Sequence, residues 1–226
     1  MRVYYFVSAN YGLENIIKKR MKVARLNELN DPFEFMSVDT KDLEIRKAFK
    51  ETLTELSERT GVLCFSRAWH NPVLWSHYGD KHKGVCLGVD IPDETVMPVA
   101  YEPKRLKIDK TRDLKKSEIG EGTMHRILTT KFADWRYEDE VRVFVELKER
   151  DTKTGLYYKD FGADISLKEV IIGPKCHFSV SDLNNVVTKY NGQVRVIPSR
   201  LAFMTFSVIE RKMKVFIKKP IKKKNA

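Results

Sequence analysis

Trp135-Arg136-Tyr137-Glu138-Asp139-Glu140-Val141-Arg142-Val143-Phe144-Val145-Glu146-Leu147 is the stretch on which the fold turns. From Val141 onward, Val141, Val143, Val145 and Leu147 alternate with Arg142, Phe144 and Glu146. A period of two is that of a strand with one buried face. Such strands belong to sheets that are largely antiparallel, because strands of a doubly wound parallel sheet are apolar on both faces.

Working outward, the neighbouring segments mix strands and helices irregularly. Arg2 to Val7 reads as a strand and Tyr11 to Arg20 as a short amphipathic helix, with Met21 to Arg25 returning as a strand. Asp39 or Thr40 caps a helix running to about Thr60, in which Ile45, Phe49, Leu53 and Leu56 form one apolar stripe. Val62 to Phe65 and Val85 to Val89 are short strands flanking a helix that starts at Asn71-Pro72 and ends at Gly84. Residues 91–125 are polar and Lys-rich and read as an insertion or loop. Met124 to Phe132 reads as a helix, Leu167 to Ile172 as a strand, and Asp182 to Tyr190 as a helix. Gln193 to Ile197 follows as a strand, with Leu201 to Val208 as one more. The expected architecture is α+β, a mixed and largely antiparallel sheet with flanking helices. Residues 1–210 are expected to form one domain and 211–226 a basic tail.

Composition narrows the function classes. The 226 residues are 42% hydrophobic, too apolar for a disordered chain. No run approaches the roughly 20 apolar residues of a membrane span, and the N-terminus lacks a signal-peptide core, so a cytoplasmic protein without a membrane role is expected. Cys64, Cys86 and Cys176 are odd in number, lack a CxxC pair, and read as small buried hydrophobes. His77 and His82 share no helical face, so no metal site is expected. The net charge of +11 is concentrated after Arg211, where Lys218, Lys219, Lys222, Lys223 and Lys224 have no acidic neighbour. Such a tail attracts polyanions by counterion release, nucleic acid foremost, or else simply keeps the chain soluble.

Three motifs have side chains suited to chemistry. In the first, Trp75, Tyr78 and His82 stand at i, i+3 and i+7 after Asn71, one face of a helix that is either core or site. In the second, Glu138, Glu140 and Arg142 are spaced by two, so a strand that begins by Glu138 projects all three to one side. A carboxylate pair of this kind can orient an acceptor and stabilise positive charge developing on a sugar, or it can be an Arg-Glu ladder facing solvent. The third is the polar turn Asn30-Asp31-Pro32-Phe33-Glu34. Phosphate-loop, dinucleotide-fingerprint, HExxH and GxSxG patterns are absent from the sequence.

Leu29-Asn30-Asp31-Pro32-Phe33-Glu34, Cys64-Phe65-Ser66, Leu74-Trp75-Ser76-His77-Tyr78-Gly79-Asp80, Lys83-Gly84-Val85-Cys86-Leu87 and Trp135 to Arg142 together resemble the bacterial domain of unknown function 2971 family, over about residues 3–175. The order of elements is also similar in pattern to the ADP-ribosyltransferase fold, particularly to enzymes that modify nucleic acids. That similarity implies a split sheet with NAD across its cleft. Glu140 would be the catalytic acid, with Glu138 and Arg142 beside it. Tyr5, Asn30, Asp31, Phe65, Ser66, Trp75 and Tyr78 would contact the cofactor. Tyr5 stands where such enzymes carry His or Arg, a departure from the pattern. The implied acceptor is a nucleic acid or a protein, and enzymes of this type often serve as toxins or anti-phage effectors with an antitoxin or defence partner. The alternatives are a non-catalytic nucleic-acid-binding module and a nuclease in which Asp31, Glu34, Glu138 and Glu140 hold Mg²⁺.

The tail reading is checked by removing residues 211–226. Affinity for an oligonucleotide, measured by fluorescence anisotropy between low and high salt, is expected to fall, and its salt dependence to flatten.

Overall fold

The computed structural model describes residues 1–31, 33–115, 118–190 and 194–212. The strands are β1 (Arg2–Val7), β2 (Arg20–Arg25), β3 (Thr60–Ser66), β4 (Val85–Asp90), β5 (Met97–Pro98), β6 (Ala100–Glu102), β7 (Leu114–Lys115), β8 (Glu118–Ile119), β9 (Thr130–Phe132), β10 (Glu140–Glu146), β11 (Tyr157–Asp160), β12 (Ser166–Ile172), β13 (Arg195–Leu201) and β14 (Val208–Glu210). The helices are α1 (Ala9–Lys18), α2 (Leu43–Arg59), α3 (Pro72–His77), α4 (Lys110–Asp113), α5 (Glu121–Leu128) and α6 (Val180–Val187).

Ten strands form one open sheet in the order β11-β2-β3-β1-β4-β12-β13-β14, with β10 also pairing β3, and β5 beyond β10. Every pair in it is antiparallel except β12 with β13. The α+β, largely antiparallel architecture is therefore as the alternation in β10 implies.

β3 is the pivot of the sheet. One edge pairs along its whole length with β10, from Glu140 opposite Ser66 to Glu146 opposite Thr60. The other edge is divided, since β2 pairs with Gly61 and Val62 whereas β1 pairs with Ser66. Among the described residues nothing pairs with Leu63–Phe65 on that edge, so β1 and β2 splay apart and leave a gap.

Alternation along β3 also assigns the two faces. Leu63 and Phe65 join Val3, Ile16, Val141 and Leu183 in a core beneath α1 and α6, whereas Val62 packs with Phe35, Ile45, Phe49 and Ile127 beneath α2 and α5. α2 begins later than expected, at Leu43, because Asp42 rather than Asp39 or Thr40 accepts from the Glu44 and Ile45 amides. Residues 91–125 are not one long loop: β5, β6, α4, β7, β8 and the start of α5 lie within them. The expected helix from Met124 to Phe132 is instead the end of α5 followed by β9. Leu201 to Val208 is not a strand but the connection between β13 and β14, with Phe203, Met204 and Phe206 exposed.

The largest correction concerns the helix after Asn71. Asn71 caps it through the Val73 amide, as expected, yet α3 stops at His77. Asp80, Lys81 and His82 then take positive φ, and the Gly84 amide closes the loop on the Gly79 carbonyl at 2.8 Å. His82 therefore does not share a face with Trp75 and Tyr78. The loop is tight because β1 and the segment after β12 crowd it. A Cβ on Gly84 would lie 2.2 Å from the Val7 carbonyl oxygen, and one on Gly173 2.5 Å from both the Gly84 and His82 carbonyl oxygens. Gly173→Ala is thus expected to lower stability by about 1–3 kcal/mol or more, seen as a drop in melting temperature, since the obstructing atoms are backbone.

Candidate active site

Two left-handed residues bring the acidic side chains together. The 3₁₀ helix Ala133–Glu138 ends on Asp139 at φ 44°, and β10 starts only at Glu140. Glu138 is therefore not on the strand, as the spacing by two suggested; the reversal at Asp139 turns its carboxylate toward that of Glu140. Arg67 holds this turn through its amide to the Asp139 carbonyl and its guanidinium to the Asp139 carboxylate at 2.7 Å. Phe35, at φ 57°, does the same for the 33–36 turn, lying fully buried under Arg142 while Glu34 points inward.

The result is a desolvated network of five charged groups. Arg142 is fully buried, Glu140 is 4% exposed, Glu138 5% and Lys131 7%. The Lys131 ammonium donates to Glu138 Oε2 at 2.7 Å and Glu140 Oε2 at 3.2 Å, and lies 3.3 Å from Glu34 Oε2. Arg142 Nε donates to Glu140 Oε1 at 2.8 Å and Nη2 to Glu140 Oε2 at 3.1 Å, while Nη2 also pairs with Glu34 and Nη1 with the Leu128 carbonyl. The alternative of a solvent-facing Arg-Glu ladder is excluded by this burial.

The environments of the two acids pull them apart. Burial alone would raise the Glu140 carboxyl, but Arg142 and Lys131 outweigh it and hold it at about 2. Burial raises Glu138 above its ordinary value, and Lys131 does not compensate in full. Tyr78 is pushed up by burial and by Glu138, and its hydroxyl donates to Glu138 Oε1 at 2.5 Å. Three carboxylates face two cations, and Glu138, which burial raises first and the neighbouring Glu140 charge only last, has no bond from Arg142 to offset its desolvation.

This network forms one wall of a hollow of about 260 Å³ in the gap between β1 and β2. Tyr5 and Phe65 also line it, with Ser66, Asn30, Tyr78, Glu138 and Glu140 around it. The Asn30 amide donates to the Tyr78 hydroxyl at 3.3 Å. Burial pushes the Tyr5 hydroxyl up to about 12, so it stays protonated. Tyr5, Tyr78 and Glu140, distant in sequence, thus border one cleft.

Three expected site residues lie elsewhere. Trp75 is fully buried against Trp69, Cys86 and Ile171, with its Nε1 donating to the Trp69 carbonyl at 2.7 Å, and it does not line the hollow. Its helix face packs on the sheet, whereas Tyr78, the C-cap residue of α3, directs its hydroxyl to Glu138. Asp31 borders a neighbouring hollow, its carboxylate accepting from the Phe33 amide at 2.8 Å. Arg142 is behind Glu140 and does not line the hollow, so it positions the acids rather than meeting a ligand. Lys218, Lys219, Lys222, Lys223 and Lys224 lie outside the described residues, as does Pro32.

Sequence reasoning missed Lys131 altogether. Nothing marks it among 42 Lys and Arg residues, and its segment reads as a helix end rather than as β9. Glu34 was visible in the polar turn but only the left-handed Phe35 directs it inward. Tyr101, whose hydroxyl accepts from the Glu140 amide at 2.7 Å, falls in the stretch least legible from sequence.

Fold and site together define an α+β protein with an open, mixed sheet and a buried carboxylate–cation network beside a cleft in that sheet. Residues 74–143 match the family model described as "Protein of unknown function (DUF2971)". That span runs from α3 into β10 and includes Tyr78, Lys131, Glu138, Glu140 and Arg142. Comparison with curated proteins and with solved structures gives no match. No helix among the described residues is long and apolar enough to cross a membrane.

Arg142→Leu is expected to cost about 3–5 kcal/mol at neutral pH in chemical denaturation, because it strands buried carboxylates. In the wild type, the stability from Glu140 is present above its ordinary value of 4.5 and is lost as pH falls through about 2. The cost of Arg142→Leu should therefore shrink as pH falls from 4.5 toward about 2, the window over which the wild type loses that stability.

Proposed function

We propose that the cleft binds NAD by its nicotinamide riboside end and supports ADP-ribosyl transfer to a nucleic acid, or to a protein side chain. The observation that supports this most directly is the meeting of Tyr5, Tyr78, Glu138 and Glu140 around one hollow in the split of the sheet. About 260 Å³ suits one nucleoside-sized unit, below the roughly 300–1,000 Å³ of sites that take a whole drug-sized ligand.

NAD would supply a glycosidic bond whose breaking puts positive charge on the ribose. Tyr78 and Tyr5 border the space that a flat nicotinamide ring would enter. Glu140, kept anionic by Arg142 and Lys131, is a fixed negative charge that needs no reorganisation when the sugar becomes cationic. Glu138, with its raised carboxyl and its bond from Tyr78, is the better placed of the two to accept a hydrogen bond or a proton from a sugar or acceptor hydroxyl. This departs from the sequence reading, which made Glu140 the principal catalytic residue.

The nuclease alternative loses ground for an electrostatic reason. Lys131 sits among Glu34, Glu138 and Glu140, at the point where those carboxylates would have to hold a divalent cation. ADP-ribose attached to a base or phosphate would block pairing or templating there, which accords with a toxin or anti-phage role controlled by a partner protein.

The test is binding and turnover measured separately. NAD is expected to raise the melting temperature of the wild type, and Glu138→Gln to keep that shift while losing about a hundredfold or more in NAD consumption. Wild-type protein that neither binds nor consumes NAD, with RNA, DNA and protein acceptors supplied, ends this reading.

A further inference from the structure

Beside the first hollow lies a second, of about 380 Å³, separated from it by Lys131, which borders both. We infer that this second hollow is a nucleobase-binding subsite, a claim that rests on the NAD reading only for the identity of its neighbour.

Its lining is unusual for a folded surface. Phe33 is 58% exposed and Phe132 49%, and both border the hollow together with Trp135. None of these rings is needed to fill either of the large cores. Exposed aromatic faces converging on one concavity are the arrangement that stacks bases without regard to sequence. The Arg105 guanidinium lies 5.4 Å from the Phe33 ring centre, and Lys104 stands next to it at the rim. Among the described residues neither cation meets a carboxylate within ion-pair distance, so both can face a phosphate. Asp31, a residue 9% exposed whose Oδ1 takes the Phe33 amide and whose Oδ2 is left over among the described residues, and Glu102 supply acceptors suited to the exocyclic amine of adenine, cytosine or guanine.

An apolar ligand would fit the aromatic faces but leave those acceptors and cations unused. A free phosphate would use the cations and ignore the rings. A base carrying a phosphate engages all three kinds of group, and the shared border at Lys131 lets a second nucleoside unit occupy the first hollow. The base can come from two sources: the adenine end of a dinucleotide, or a nucleotide of an acceptor strand.

The deciding experiment compares wild type with Phe33→Ala/Phe132→Ala and with Arg105→Glu, using NAD, nicotinamide mononucleotide and a single-stranded ten-nucleotide oligomer as probes in calorimetric titration. Melting temperatures establish folding, and Arg105→Glu, at an exposed residue, provides the readout should the double variant be destabilised. A loss of about tenfold for NAD with nicotinamide mononucleotide unchanged supports the subsite with the dinucleotide as source. A comparable loss for the oligomer alone supports it with the acceptor strand as source. Equal affinities for all three probes in wild type and variants, or a wild type that binds none of them, overturn it. Were the wild type to bind the oligomer through these residues and not NAD, the NAD reading would fall and this one would stand.

Discussion

The molecule depends on the ion cluster formed by Lys131 and Arg142 with Glu34, Glu138 and Glu140. A cation with almost no contact with water is tolerated only when carboxylates and carbonyls take up its charge and its protons. Lys131 comes from β9, Arg142 and Glu140 from β10, Glu138 from the 3₁₀ helix, and Glu34 from a turn about a hundred residues earlier. Neutralising the two cations therefore ties separate segments to one point. The cluster does not neutralise fully, and Glu138, at the border of the cleft, is the acid whose carboxyl burial raises.

The second constraint is the divided edge of β3. A strand fully paired with β10 on one side and shared by two diverging strands on the other must leave an opening. The opening is lined by whatever the strands present there, and Tyr5, Phe65 and Ser66 are placed by that rule alone. Tyr78 reaches it from the C-cap of α3, where its amide still donates to the Leu74 carbonyl and its hydroxyl meets Glu138. α3 ends early, and three left-handed residues folded tightly against Gly173 turn the chain away before the helix can continue.

Much of this was legible in residues 135–147. The alternation from Val141 to Leu147 identifies a half-buried strand, and the strand in turn implies a largely antiparallel sheet with helices. The Asn71 cap was legible because Asn followed by Pro has a local cause. The end of that helix was not, since Tyr78 to Lys83 contains no proline and its strain is imposed by β1 and the loop after β12. Trp75 was assigned to the site because an aromatic at helical spacing looks the same whether it packs on a sheet or on a ligand. Arg142 was placed among the catalytic groups because spacing reveals direction and says nothing of depth.

Local chemistry along the chain was enough to set the strand pattern of β10, the capping of α3, the class of fold, and the presence of Glu138 and Glu140 two positions apart. Those features depend on neighbours a few residues away. The pairing of Lys131 with three glutamates, the opposite shifts of Glu138 and Glu140, and the opening between β1 and β2 were decided only in three dimensions. Each is a matter of desolvation and of contacts between segments far apart in the chain, and neither burial nor such contacts can be read from spacing.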